Sequence, residues 1–349
     1  MIDALRQVAR QARHAVLSGM RAAGGFTLVA GSTWRRRRLL IIGYHGVSLQ
    51  DEHEWDPELF VTPAFLRRRF QILRDGGYAV LPLGEANRRL RDGTLPSRCV
   101  ALTFDDGFYS FFAVVLPLLE EFGYPAASYV STYYCLNQFP VMNLALPYML
   151  WRARGQVLAP KLLPGQHSGV DLGDQEQREI IAAGLLREGE AISDDIQGRQ
   201  AWLAVIAERL GVNWESIVKS RLFHLMTAEE VAEVARKGVD VQLHTHRHRT
   251  PHDKSAFRRE VLENRRILEN LTGRSAAHFC YPSGVVDSLF LPWLRDLGVE
   301  TATTCEVGMA GVGHDPLLLP RYVDTMAQSE VQFESWLCGA GAILRGRAD

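Results

Sequence analysis

Two clusters of polar residues could do chemistry together. The first is Asp105-Asp106-Gly107, which closes the segment Leu102-Thr103-Phe104. The apolar run Cys99-Val100-Ala101-Leu102 before it has the character of a buried strand. A strand turns neighbouring side chains to opposite faces, so two adjacent carboxylates at its end meet different surroundings. Such a pair can divide two tasks, one carboxylate binding a metal and the other handling protons. The second cluster is His244-Thr245-His246-Arg247-His248, at the end of another short apolar strand, Val239 to Leu243. His244 and His248 are spaced so that both imidazoles can reach one ion. Two histidines and one carboxylate, with a position left for water, is the ligand count of a catalytic Zn²⁺ or related divalent site. Taken singly, each cluster also fits a plain surface turn; their joint occurrence at strand ends is what points to a site.

These segments resemble the first two signature motifs of the NodB-homology polysaccharide deacetylases, carbohydrate esterase family four. The family patterns T-F-D-D-G and H-[ST]-x-x-H are both matched without a gap, at residues 103–107 and 244–248. The resemblance extends from about residue 39 to about residue 325. It implies Asp106, His244 and His248 as metal ligands and Asp105 as general base, with one divalent ion, Zn²⁺ first and Co²⁺, Ni²⁺ or Mn²⁺ also admitted by this ligand set. A third family motif is similar to Phe279-Cys280-Tyr281-Pro282-Ser283-Gly284. It implies an oxyanion donor at Ser283 and a substrate-side place for Tyr281. Many members carry Arg where Cys280 stands, and that Arg supports the catalytic carboxylate. Arg321 in Leu319-Pro320-Arg321 is the substitute this sequence offers, grouped with Ser283 and Tyr281 around substrate. The late L-x-H motif that supplies a proton to the leaving amine in many members has no counterpart. Gly43-Tyr44-His45-Gly46-Val47 is instead similar to the Y-H-x-V of members with permuted motif order, which implies His45 as general acid. His314 is a weaker candidate. His246 faces away from the ligands on this reading, and Thr245 shapes the loop.

The elements that must position these residues alternate between strand and helix. Strands are expected at 39–44, 78–81, 99–104, 126–130, 239–243, 277–281, 300–305 and 317–323. Helices are expected at 63–76, capped by Thr62 with Pro63 at the first position, and at 83–91, 109–122, 254–271, 288–297 and 329–339. Thr227 and Glu230 form a capping box for a helix running to Lys237. This alternation argues for a parallel sheet with helices outside, and polar residues at strand ends suit the loop face of a barrel. Periodicity leaves an open doubly wound sheet equally possible. The resemblance implies an α/β fold: a distorted (β/α) barrel of the deacetylase type. Residues 132–224 are too long for one βα connection and are expected as a helical insertion, with helices near 175–192 and 198–210. Its aromatic-rich first half could wall a substrate groove or form the insertion's own core.

The domain reading is therefore a basic amphipathic segment over 1–38, then one barrel domain over 39–349 holding the insertion. Leu5, Val8, Ala12, Val16 and Met20 lie near helical spacing between Arg6, Arg10 and Arg13, and the run Arg35 to Arg38 follows. This composition fits either peripheral contact with an anionic membrane surface or a helix packed on the domain. No stretch approaches about 18 uninterrupted apolar residues. The 349 residues are 47% hydrophobic and 23% charged, with a net charge of −1 that gives no reason to expect nucleic acid. Five cysteines without a C-x-x-C read as buried thiols and favour a reducing compartment. A signal peptide is the competing reading of the first residues, but Arg21 interrupts the apolar stretch, and the expected location is the cytoplasm, at the inner face of the membrane.

The expected partner is an N-acetylated glycan and the expected reaction is hydrolysis of its N-acetyl group. A catalytically silent carbohydrate-binding protein on the same scaffold, or removal of an O-acetyl or formyl group, are the alternatives.

Overall fold

The computed structural model describes residue 12, residues 14–192 and residues 196–345. Seven strands close a parallel barrel: β1 (Arg38–Tyr44), β2 (Cys99–Phe104), β3 (Ala127–Val130), β4 (Asp240–Leu243), β5 (His278–Cys280), β6 (Thr301–Val307) and β7 (Leu319–Val323). Around the ring the order is β1, β7, β6, β5, β4, β3, β2 and back to β1. Closure rests on β1, which pairs with β2 in the register Leu40 to Val100 through Tyr44 to Phe104, and with β7 through Ile42 and Tyr322. β2 is buried along its whole length, as a parallel strand with a filled interior on one face and helices on the other must be. Two short additions flank the ring: Ala79–Val80 lies parallel to β2, and Ala310–Gly311 pairs antiparallel with the start of β1. The expected strands and helices are present, with the strand expected at 78–81 reduced to two residues.

The segment 132–224 is helical with one small hairpin, Val157–Leu158 against Val170–Asp171. Helices Gln175–Ala191 and Ile196–Arg209 lie close to their expected places. Helices Thr132–Asn137, Met142–Arg152 and Trp214–Lys219 were not foreseen. An apolar core of its own, with Leu146, Met149, Leu185, Leu203 and Ile206 fully buried, holds this layer. The aromatic residues divide between both expected uses. Tyr148 and Trp151 stack within that core beside Phe223, while Tyr133 and Tyr134 border the cavity described below.

Leu5, Val8, Arg6 and Arg10 of the expected amphipathic segment lie outside the described residues. Residues 14–22 are helical, and Leu17 is buried with Phe26 and Ala30 against Val331 and Cys338 of the helix Glu330–Cys338. Arg35, read as part of a basic surface run, is fully buried. Its guanidinium donates to the carbonyls of Leu337 at 2.9 Å, Arg38 at 2.7 Å and Cys99 at 3.0 Å. It therefore ties the N-terminal layer to the barrel floor. Cys99, Cys135, Cys280 and Cys338 are buried free thiols; Cys305 is exposed, against expectation. No helix among the described residues is long and apolar enough to cross a membrane.

Candidate active site

The C-terminal ends of the barrel strands carry the site. β2 ends at Phe104, and Asp105 extends it by one backbone bond, its N–H donating to the Tyr44 carbonyl at 2.9 Å. The chain then bends sharply: Asp106 has φ 69° and Gly107 φ 83°. The two carboxylates are thus separated by a left-handed turn beyond the strand, rather than by the pleat of the strand itself. Gly107 is required there, since a Cβ would lie 2.8 Å from Val130 Cγ1.

Asp105 points into the barrel and is 3% exposed. Arg321, fully buried on β7, grips it with a two-pronged contact: Nη1 to Oδ1 at 2.7 Å and Nη2 to Oδ2 at 2.7 Å. The Arg321 Nε donates to the Thr304 carbonyl at 2.9 Å, which fixes the fork. Arg321 accordingly stands behind the carboxylate and does not face substrate, a correction to its grouping with Ser283 and Tyr281. The Cys280 thiol lies 3.2 Å from Arg321 Nη2 and 3.4 Å from Asp105 Oδ2, so a small side chain on β5 leaves room for the guanidinium arriving from β7. Burial would raise the Asp105 pKa, but the charge and hydrogen bonds of Arg321 outweigh it and hold the carboxyl below its ordinary value.

Asp106 turns the other way, toward the histidines. Its Oδ1 is 3.1 Å from His244 Nε2 and 3.1 Å from His248 Nε2. Ligand atoms of the three residues all lie within 4.8 Å of one another, the one such cluster among the described residues. His244 Nδ1 is 2.9 Å from the Cys280 carbonyl. A carbonyl only accepts, so Nδ1 carries the proton and Nε2 presents its lone pair to the cluster. Two imidazole nitrogens and a carboxylate oxygen converging this way suit a divalent ion of the zinc type. With no ion between them, burial works against charge on Asp106, but its contacts with His244 and His248, when those imidazoles are protonated, overcome it and hold the carboxyl well below its usual range. Burial likewise lowers His248, and the Asp106 contact more than reverses this.

The histidine loop is held by the helix Lys254–Thr272. Asn264, fully buried, accepts from the His244 N–H at 3.0 Å and donates to the Val130 carbonyl at 2.9 Å and to Thr132 Oγ1 at 3.1 Å. Glu260 accepts the Arg247 N–H at 2.7 Å. Thr245 and His248 take φ of 59° and 55°, and Thr245 Oγ1 accepts the Arg249 N–H at 3.0 Å. His246 turns outward, its Nδ1 2.8 Å from Thr132 Oγ1 and its Nε2 3.5 Å from Glu263. Asn264 and Glu260 were not among the residues expected. The available signal was a polar residue on an apolar stripe: Asn264 follows Phe257 and Val261 and precedes Leu268 on the buried face.

His45 sits at the end of β1 with Nε2 3.6 Å from Asp105 Oδ2, beyond hydrogen-bond length. Its Nδ1 is buried without a partner among the described residues. His314 lies at the opposite end of β1, where its Nδ1 accepts the Gly311 N–H at 3.0 Å, and takes no part. Tyr281 is buried and its hydroxyl donates to the Leu317 carbonyl at 3.0 Å, while Ser283 is exposed with φ 55°. A cavity of about 770 Å³ covers His45, Tyr281 and Ser283 together with the two carboxylates. His45, Asp105, His248 and Ser283 border its polar side; Met142 and Leu186 of the insertion border the apolar side.

A closed parallel barrel with an Asp-His-His cluster at its C-terminal mouth defines a (β/α) barrel whose mouth could hold a metal ion. Residues 200–302 match the polysaccharide deacetylase family model. The match takes in the His244–His248 loop and the Pro282–Gly284 turn; Asp105 and Asp106 precede it, across the insertion. A curated relative is the poly-β-1,6-N-acetyl-D-glucosamine N-deacetylase of Escherichia coli (strain K12), 35% identical over 101 residues. That match spans 29% of this chain and 15% of the relative's length. The fold is similar to the Streptococcus pyogenes deacetylase PplD, with TM-score 0.55 and 18% identity, over 84% of this chain and 94% of that one. It is also similar to IcaB from Ammonifex degensii, with TM-score 0.53 and 18% identity, over 87% and 97% of the two chains.

Proposed function

We propose that this protein is a metal-dependent hydrolase that removes N-acetyl groups from a sugar in a glycan. The observation that carries the proposal is the convergence at one barrel mouth of an ionised, arginine-gripped Asp105 with the Asp106, His244 and His248 cluster. The deacetylase relative and the family match support the same reading.

Asp106, His244 and His248 would hold the ion, Zn²⁺ first, with Co²⁺, Ni²⁺ or Mn²⁺ compatible with the same donors. Bound there, a divalent ion supplies Lewis-acid activation of water and of the acyl carbonyl. Asp105 accepts the proton of the attacking water, and Arg321 keeps that carboxylate ionised and aimed. The Ser283 backbone N–H is the donor assigned to the developing oxyanion. His45 delivers a proton from Nε2 to the leaving amine, so water and amide become acetate and free amine. Arg321 beside Asp105 supports the active reading over a silent glycan-binding one, since it supplies the cation missing at Cys280.

Acetate release from β-1,6-linked N-acetylglucosamine oligomers in the presence of Zn²⁺ or Co²⁺ tests this. Asp105→Asn is expected to lower the rate by about 10²–10⁴-fold. Metal binding without release of acetate from that or other N-acetylated glycans would sink the proposal. A cytoplasmic location with peripheral membrane contact belongs to the same proposal. Exposed Val16, Leu28, Arg36 and Arg37 support the contact, and sedimentation with anionic vesicles, alongside cell fractionation, tests it.

A further inference from the structure

The cavity over Asp105 continues past His248. A second cavity of about 660 Å³ opens on the far side of that imidazole, and Arg247, His248, Arg249 and Ser283 border both. Its outer wall is the helix Lys254–Thr272, which adds Arg259, Glu260 and Glu263. Three guanidinium groups thus face two carboxylates.

The pairing within that set is uneven. Arg247 Nη1 lies 3.2 Å from Glu260 and 3.4 Å from Glu263, so one arginine engages both acids. Glu263 is also 3.5 Å from His246. Arg249 and Arg259 are exposed, and among the described residues neither guanidinium has an ion-pair or hydrogen-bond partner. The carboxylate that bears on Arg259 is Asp253, already accepting from Ser255 at 2.7 Å and from the Ala256 N–H at 2.8 Å as the helix cap. Two uncommitted cations therefore border a cavity that shares a wall with a metal-ligand histidine. A planar guanidinium fork matches the two oxygens of a carboxylate.

We propose that this second cavity is a subsite for a carboxylate-bearing sugar, a uronic acid unit adjoining the N-acetylated sugar. The glycan is then an acidic copolymer and not a neutral run of N-acetylhexosamine. This inference rests on the deacetylase reading for the first cavity. It adds a neighbouring unit that Arg249 and Arg259 select by charge, with the sugar chain crossing from one cavity to the other over His248 and Ser283.

The test is calorimetric binding to the zinc-loaded protein at low salt. The probes are a hyaluronan tetrasaccharide, in which glucuronate alternates with N-acetylglucosamine, and the neutral chitotetraose. The acidic oligomer is expected to bind at least about fivefold tighter, the upper range of one exposed ion pair. Arg249→Gln and Arg259→Gln should each reduce that ratio, and high salt should abolish it. Equal or weaker binding of the acidic oligomer, or a ratio unchanged in the double variant, overturns the subsite. Acetate release measured on the same samples separates the two readings. Charge discrimination without acetate keeps the subsite and removes the deacetylase; acetate without discrimination does the reverse.

Discussion

Asp105 keeps its charge in a place where burial alone would remove it, and one residue contributes most to that. Arg321 supplies both prongs of the contact and is itself fully buried. Replacing Arg321 with Met leaves a buried carboxylate unpaired, at a cost of about 3–5 kcal/mol if it stays ionised. Protonation relieves that cost, so the Asp105 pKa rises. A general base must be deprotonated to act, so the acid limb of the pH–rate profile should move to higher pH in Arg321→Met. Arg321→Lys keeps the charge but loses the fork, and a smaller displacement is expected. Profiles of kcat/KM for the three proteins check this; superimposable acid limbs would argue that Arg321 does not tune the base. The acid doublet and the histidines were legible because their types and spacing are unusual at strand ends. Arg321 was already the substitute offered for the Arg missing at Cys280; the face it takes was not legible, because a pleat assigns a side chain to a face only once the strand's place in the ring is known.

At the scale of elements, the helix Lys254–Thr272 acts as a clasp on the histidine loop. Asn264 is its central contact, joining the His244 backbone to the end of β3 at Val130 and to Thr132, while Glu260 holds Arg247. Partners one layer behind metal ligands commonly contribute about 10–100-fold in metal affinity. Asn264→Leu should therefore weaken zinc binding by that factor, read by competition with a chromophoric chelator. A loss of stability on the order of 1–3 kcal/mol should accompany it, from the His244 N–H and the Val130 carbonyl left unpaired. Unchanged zinc affinity in a destabilised Asn264→Leu would reduce Asn264 to a packing residue. The amphipathic period of this helix, closed by Gly273 in the left-handed region, made it readable from sequence. Met142–Arg152 was hidden for the opposite reason: it is apolar on nearly every side and carries Pro147 internally, so no polar face marks its period. The pairing of Gly46–Val47 with Phe60–Val61 is too short for alternation to register.

Across the whole molecule, the barrel and the 132–224 layer meet where the chain returns from the insertion. Phe108 bridges to Leu225, the Tyr109 N–H donates to the His224 carbonyl at 2.9 Å, and the Met226 N–H donates to Gly107 at 2.9 Å. The seam thus reaches the turn that carries Asp105 and Asp106. Ring closure could not be read from periodicity, since each strand of an open parallel sheet has the same apolar pattern; the motifs pointed to it. His224 makes the seam sensitive to acid. Its imidazole is buried, with Nδ1 3.1 Å from the Leu222 carbonyl, and burial lowers its pKa from 6.5 to about 4. A histidine whose folded pKa is depressed stabilises the fold fully above its unfolded pKa, and this contribution is lost as pH falls through the folded value. The window therefore runs from 6.5 down to about 4 and is worth on the order of 3 kcal/mol. His224→Gln retains a donor for the Leu222 carbonyl without a group that titrates in this range. Urea unfolding at several pH values should show the wild type losing that much more stability than His224→Gln across the window. Parallel losses in the two proteins would mean that the acid-sensitive group lies elsewhere.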